Sequence, residues 1–309
     1  MSVRSLFDVA APAKLNLFLH ITGQRPDGYH LLQSVFMLID WCDTLHFERR
    51  GDGLIARHDL TAALPADDLC LRAARLLQAE AATSFGTDIS IAKHVPWGAG
   101  MGGGSSDAAS TLLALNRLWG LHWPLSKLLP LGLKLGADVP FFLGGHNAWV
   151  EGIGEKLTAV DLPPRHFAVV KPAAGLETHV VFGDASLVRN TPAATLESFT
   201  AHSKQAQLQG KRLLEFGRND LQPVAEKHCA EVTQASELLQ TVFGNSRMTG
   251  SGSSVFAEFC RERSQERGEK SFDLESSAFL AATASLPDTW ATRMCSNLPQ
   301  HPLANWSTP

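Results

Sequence analysis

The chain has 309 residues, of which 44% are hydrophobic and 19% charged, and a formal net charge of -4 at neutral pH. Such a length supports a sizeable core, here expected as two lobes, and the composition is that of a globular chain rather than a disordered or membrane-embedded one. The slight acidic excess excludes a surface devoted to nucleic acid, and five cysteines without a C-x-x-C spacing exclude a disulfide framework or zinc site and favour a reducing, cytoplasmic setting.

Asp8, Lys14 and Asn16 interrupt the first apolar run, which therefore fits neither a signal peptide nor a membrane span. Residues 8–20 and 34–47 are rich in Val, Leu, Ile and Phe and are separated by turn residues 23–28, so antiparallel strands are expected. "DLCLRAARLLQAEAA", residues 68–82, has the three- and four-residue apolar spacing of an amphipathic helix. A strand over 89–95 feeds "VPWGAGMGGGSSDAAS", and a helix with a serine cap and a closing Gly120 follows. "LSKLLPLGLKLGADVPFFLGG" reads as helix then strand, with a kink or break at Pro130.

Strands are expected over 148–150, 156–160 and 167–171, and a boundary near 165 divides lobe 1–165 from a more helical lobe 166–309. The second lobe should hold a long helix after Pro223, a glycine turn in "RMTGSGSSVFAEF" and an alanine-rich helix near 278–285. The charged stretch 261–270 reads as a solvated connection.

The glycine run from Gly98 to Gly104 lies between strand and helix, where backbone N–H groups and the helix dipole favour an anion. Glycine lets phosphate approach the main chain, and Ser105 and Ser106 add hydroxyls for phosphate oxygens or an associated magnesium ion. Gly98, Gly100 and Gly103 satisfy the dinucleotide spacing, but no Asp or Glu stands between Asp107 and Asp138 to hold a ribose. No lysine follows the glycines as a P-loop requires, and the kinase segments H-R-D and D-F-G are absent. A less common nucleotide loop remains.

"PWGAGMGGGSSDAA" resembles the phosphate loop of the kinases grouped with galactokinase, homoserine kinase, mevalonate kinase and phosphomevalonate kinase. With "PAKLNLFLHITGQRPDGYHLLQSVF", "LGADVPFFLGGHNAWVEGIGEKL" and "MTGSGSSVFAEF", the chain is similar to the 4-diphosphocytidyl-2-C-methyl-D-erythritol kinase family from about residue 11 to 259. The resemblance implies an α+β, two-lobed small-molecule kinase fold with mostly antiparallel sheets and a central cleft. It also implies ATP with Mg2+, a cytidylyl polyol as the small-molecule partner, and phosphorylation of one hydroxyl on the non-mevalonate route to isoprenoid precursors.

Carried across, Lys14 and Asp138 fall on the family's catalytic positions, where a carboxylate takes the alcohol proton and a cation neutralises developing charge. Pro96, Trp97, Gly98, Ala99, Gly100, Met101, Gly102, Gly103, Gly104, Ser105 and Ser106 would hold the nucleotide. Asn16, Tyr29, His30, Thr178 and Phe182 would hold the substrate, with Tyr29 and Phe182 flanking a flat base. The chain departs from the pattern at Asp68, where the family often has Asn near the adenine, and at the bulky Trp97. A sister kinase for a smaller alcohol and a non-catalytic nucleotide-binding module stay open as rival readings, and oligomeric state is not legible.

Overall fold

The computed structural model describes residues 3–259 and 270–307. Its first two strands are long because almost nothing in them stops a strand: β1 (Ser5–Gln24) and β2 (His30–Arg50) form an antiparallel hairpin. Arg25 accepts from the Gly28 N–H at 2.9 Å and donates its own N–H to the Tyr29 carbonyl at 2.8 Å, closing the turn. Both strands exceed the expected 8–20 and 34–47, since their ends are half-exposed and carry no continuous apolar signal. The β1 register slips between Pro12 and Lys14, beside a residue with no N–H to give the ladder. The Lys14 N–H instead donates to the Met101 carbonyl at 2.9 Å, tying β1 to the glycine loop.

β3 (Ile55–Asp59), α1 (Leu69–Ala81), β4 (Gly86–Ala92), α2 (Gly103–Leu118), α3 (Leu125–Leu135), α4 (Val139–Gly144), β5 (Ala148–Glu151) and β6 (Lys156–Ala159) complete the first lobe. Its sheet runs β3-β4-β2-β5-β6 with β1 on β2, antiparallel except for the β3–β4 pair. The four helices bury Leu77, Leu112, Leu115, Leu128 and Phe142 against Leu38, Phe47 and Ile89 of the sheet. Pro130 does not break the helix as expected: it lies inside α3, where buried Leu128, Leu131 and Leu135 offset the single backbone bond that proline withholds. The expected strand at the end of this segment is the short helix α4.

The second lobe follows from β7 (His166–Lys171) through α5 (Thr178–Gly183), α6 (Leu196–Gln209), α7 (Gln222–His228), α8 (Ala230–Phe243), β8 (Arg247–Met248), β9 (Val255–Phe259), α9 (Lys270–Thr283) and β10 (Ala291–Ser296). The antiparallel order is β10-β7-β9-β8. The helical run after Pro223 is split at Cys229, whose extended backbone (φ -144°, ψ 100°) separates α7 from α8. Leu15, Leu17 and Phe18 of β1 pack with Phe167, Val169 and Phe256, so one core joins the two sheets. The chain then returns to the first lobe: the Leu298 N–H donates to Leu38 at 2.9 Å, and Leu303 enters the first core. Nearly all of the charged stretch, 261–269, lies outside the described residues. Among the described residues no helix is long and apolar enough to cross a membrane.

Candidate active site

The loop between β4 and α2 turns back on itself through left-handed backbone at Gly98, Gly100 and Gly102, with φ of 62°, 74° and 70°. The Ser106 N–H closes the first turn of α2 on the Gly102 carbonyl at 2.9 Å, and the amides just before it have no intrahelical acceptor. The residues that carry them line a cavity of about 400 Å³, which Pro96–Ser105 form together with Leu64, Pro65, Asp68 and Lys93. That size suits a small ligand. Met101 is buried beneath the loop, whereas Trp97 stands exposed at its rim. Asp68 is already engaged: it caps α1 through the Leu71 N–H at 3.0 Å and pairs with Arg57 at 2.8 Å.

Behind the loop lies a buried ion triad that the sequence did not single out. Lys93 Nζ donates to both Asp43 and Asp107, and Asp43 also accepts the N–H groups of His94 at 2.6 Å and Val95 at 2.8 Å. Burial opposes the Lys93 charge, but the two carboxylates outweigh it and hold its pKa above the ordinary value. Burial pushes Asp107 well up, Lys93 pulls it back, and the Asp43 charge adds to the rise.

Lys14 projects from β1 toward Asp138, which precedes α4, with Nζ 4.0 Å from Oδ2. The lysine is almost fully buried, whereas the Asp138 side chain remains one-third exposed (33%). Asp138 stands at the start of α4 but makes no capping bond with its side chain. Burial lowers the Lys14 pKa, and Asp138 raises it part of the way back. Lys14 Nζ also donates to Asn16 Oδ1 and lies 4.6 Å from the centre of the Phe36 ring. Asn16 is two residues along the strand and so on the same face.

The glycine turn between β8 and β9 is a strand-to-strand turn, and it also closes this site. A Cβ on Gly100 would lie 2.3 Å from the Thr249 carbonyl oxygen, and one on Gly252 would lie 2.3 Å from the Gly100 nitrogen. The two glycine loops therefore touch backbone to backbone. Thr249 Oγ1 accepts the Asn16 N–H at 2.9 Å and donates to Asn16 Oδ1 at 3.2 Å, which links the turn to Lys14. Thr178 Oγ1 and Ser251 Oγ are 2.9 Å apart, linking α5 to the same turn.

His30 and Phe182 come together, ring centres 5.0 Å apart, although 152 positions separate them in the chain. Tyr29 does not join them: it is 60% exposed on the β1–β2 turn, with the Arg25 guanidinium 6.0 Å from its ring. Tyr29 is therefore not a core residue, whereas Phe182 is partly buried and packs against the core that holds Val181 and Leu187. Arg189, absent from the sequence reading, joins this pair by donating from Nε to His30 Nε2 at 3.0 Å and from Nη2 to the Phe182 carbonyl at 2.9 Å. Burial, and then the Arg189 charge, lowers the His30 pKa.

No group of three or more His, Cys, Asp or Glu residues among the described residues can hold a metal. The side-chain oxygens at the loop are those of Ser105, whose Oγ would lie 3.9 Å from a Cβ on Gly136, of Ser106, whose buried Oγ has no partner, and of Asp107, which lines the cavity and holds Lys93 through Oδ2 while its buried Oδ1 has no partner. This donor set fits a Mg2+ that brings most of its oxygen ligands on a bound triphosphate.

Residues 68–146 match the model of the GHMP kinases N terminal domain, and residues 196–273 match that of the GHMP kinases C terminal. The 4-diphosphocytidyl-2-C-methyl-D-erythritol kinase of Methylibium petroleiphilum is 62% identical over 307 residues, 99% of this chain and 100% of that one. The protein of the same name from Variovorax paradoxus is 56% identical, covering 99% of this chain and 100% of its own. A crystal structure of 4-(cytidine 5'-diphospho)-2C-methyl-D-erythritol kinase aligns with TM-score 0.76 at 30% identity, covering 93% of this chain and 98% of that one. Homoserine kinase from Cytophaga hutchinsonii aligns with TM-score 0.67 at 14% identity over 96% of this chain and 95% of its own, a likeness of fold alone.

Proposed function

The chain belongs to the GHMP kinases, and within them to the 4-diphosphocytidyl-2-C-methyl-D-erythritol kinase family; from that premise we propose how its own residues carry the reaction. It is an enzyme that uses ATP to phosphorylate a hydroxyl of 4-diphosphocytidyl-2-C-methyl-D-erythritol, on the non-mevalonate route to isoprenoid precursors. Residues 1–165 act as the nucleotide-binding lobe and 166–309 as the substrate-binding lobe, although Leu298 and Leu303 return to the first lobe and Asn16, Tyr29 and His30 reach the substrate from it. The working compartment is the cytoplasm.

The observation that carries the assignment of roles is the buried Lys14, 4.0 Å from an Asp138 carboxylate that makes no capping bond. A helix-start aspartate ordinarily caps its helix. Asp138 instead leaves its carboxylate free to orient the substrate hydroxyl and accept its proton, while Lys14 Nζ offsets the negative charge that develops there. Asn16 fixes the lysine by accepting from Nζ, and Thr249 fixes Asn16. The amides at the start of α2, with the Ser105 and Ser106 hydroxyls, receive phosphate oxygens. When bound, Mg-ATP supplies the phosphoryl group and the metal charge that shields it. Ser105 and Ser106 are the residues at hand for that metal. His30 and Phe182 grip the cytosine, Tyr29 reaches it from the exposed β1–β2 turn, and Asn16 and Thr178 meet the polar part of the substrate.

The test is ADP release from Mg-ATP with the cytidylyl methylerythritol substrate, beside homoserine and mevalonate. Release with the cytidylyl compound alone is expected. Release only with another alcohol would overturn the substrate, and silence with all three would overturn the kinase. His30→Ala should raise KM for the cytidylyl substrate far more than KM for ATP.

A further inference from the structure

We propose that Arg189 is a positioning residue that locks His30 in one neutral tautomer and thereby makes the base pocket select cytosine over uracil. This rests on the reading above that the pocket takes a cytidylyl group. A guanidinium has only donors, so the 3.0 Å contact from Arg189 Nε requires a bare lone pair on His30 Nε2. A neutral ring whose Nε2 is bare carries its hydrogen on Nδ1. The nitrogen left for a ligand is therefore a donor, and it cannot act as an acceptor while Arg189 is in place. The lowered pKa of His30 agrees with this neutral state.

Arg189 is itself held rigidly. Its Nη2 donates to the carbonyls of Phe182 and Asp184, both at 2.9 Å, and Nη1 donates to that of Leu187 at 3.1 Å. One side chain thus ties the segment that carries Phe182 to the histidine at the start of β2. On the base edge, cytosine offers a bare ring nitrogen that accepts from an N–H. Uracil has a hydrogen on that nitrogen, so the same Nδ1–H meets a donor and both lose their bonds. A buried donor left unpaired typically costs a factor of about ten to a hundred in binding.

Two measurements test the proposal. In the unliganded chain, 15N spectra of the histidines, with His30 assigned by its loss in His30→Gln, should show Nδ1 protonated and Nε2 bare at neutral pH. In Arg189→Ala that signature should give way to a tautomer mixture. KM for the cytidylyl substrate should rise by about twofold to tenfold, the inverse of the fraction left in the Nδ1–H tautomer, while KM for ATP stays level. The preference in kcat/KM for the cytidylyl over the uridylyl substrate should fall by about tenfold or more. Arg189→Lys keeps a donor and should restore part of that preference; it also serves if Arg189→Ala does not fold. Protonation of the native His30 at Nε2 would overturn the lock. So would a raised KM in Arg189→Ala with the preference unchanged, which would leave Arg189 as a structural tie. If the native chain ignores the cytidylyl compound, the substrate reading fails, and the unliganded spectrum still judges the tautomer by itself.

Discussion

Replacing Gly100 by alanine tests whether the two glycine loops work as one device. The new Cβ would stand 2.3 Å from the Thr249 carbonyl oxygen and 2.9 Å from the Gly252 nitrogen, where ordinary contact begins at 3.4 Å. Both neighbours are backbone, so no side-chain rotation relieves the clash, and the loops must part by about 1 Å. Displacement of that size in a reacting geometry costs a factor on the order of a hundred. Gly100 also sits at φ 74°, which adds about 1–2 kcal/mol of strain for a residue with a Cβ. Two companions separate these effects. Gly252→Ala makes the same contact from the opposite loop, 2.3 Å from the Gly100 nitrogen, without a left-handed φ. Gly120→Ala, at φ 69° beyond the far end of α2 with nothing within 4 Å, bears the strain alone. Steady-state kinetics and thermal melts should show kcat down by about a hundredfold in Gly100→Ala and Gly252→Ala. Gly120→Ala should lose about 1–2 kcal/mol of stability and keep its turnover. Native kinetics in Gly252→Ala would refute the coupling of the loops.

Asp138→Asn should lower kcat by about a thousandfold or more with the fold retained, because the side chain caps nothing and its loss removes only the pairing with Lys14; a rate within tenfold of native would reject it as the proton acceptor. Lys14→Met should abolish most turnover without loss of stability, since burial of the lysine opposes its charge; an inactive variant that melts far below the native chain would reject that account. The alkaline limb of kcat/KM should fall as Lys14 deprotonates below the ordinary 10.5 and should be missing from the residual activity of Lys14→Met. For stability the sign is opposite. Between the lowered folded pKa and 10.5 the unfolded chain holds more protons, so Lys14 makes native stability rise with pH there, and denaturant titrations compared with Lys14→Met measure it. Tyr29→Ala should raise KM for the cytidylyl substrate by about one to two orders of magnitude and spare KM for ATP, as loss of one stacking ring predicts; an unchanged KM would remove Tyr29 from the pocket.

What was legible in the sequence was whatever has a short-range signature. The glycine loop shows itself because small residues between a strand and a helix have few other uses, and α1 because its buried Cys70, Leu71, Ala73, Ala74 and Leu77 repeat at helical spacing. Lys14 and Asp138 stood out as candidates only through their motif context, since a lone lysine in a strand and a lone aspartate before a helix are ordinary. The errors also have physical sources. Pro130 argued locally for a kink or break, and of the two the break is overridden by buried leucines on either side. The long helix after Pro223 carries no proline or glycine where it is interrupted at Cys229, so composition could not reveal the break.

The residues that were missed share one property: their partners are far along the chain. Lys93 meets Asp43 fifty positions earlier, and Arg189 meets His30 across 159. Thr249 was legible as part of the glycine turn, but its bond to Asn16, across 233 positions, was not. Nothing local requires Arg189 to be an arginine, because a surface segment of this kind tolerates many polar residues. Its identity becomes informative only when the fold brings its planar fork against three carbonyls and one imidazole nitrogen at once. A lysine there has one ammonium group and cannot span all four, so binding of the base should depend on the shape of that side chain as well as on its charge. The partial rescue expected of Arg189→Lys measures that division: the share restored reports the donor at Nε2, and the share still missing reports the rigidity that the fork gives to the Phe182 segment.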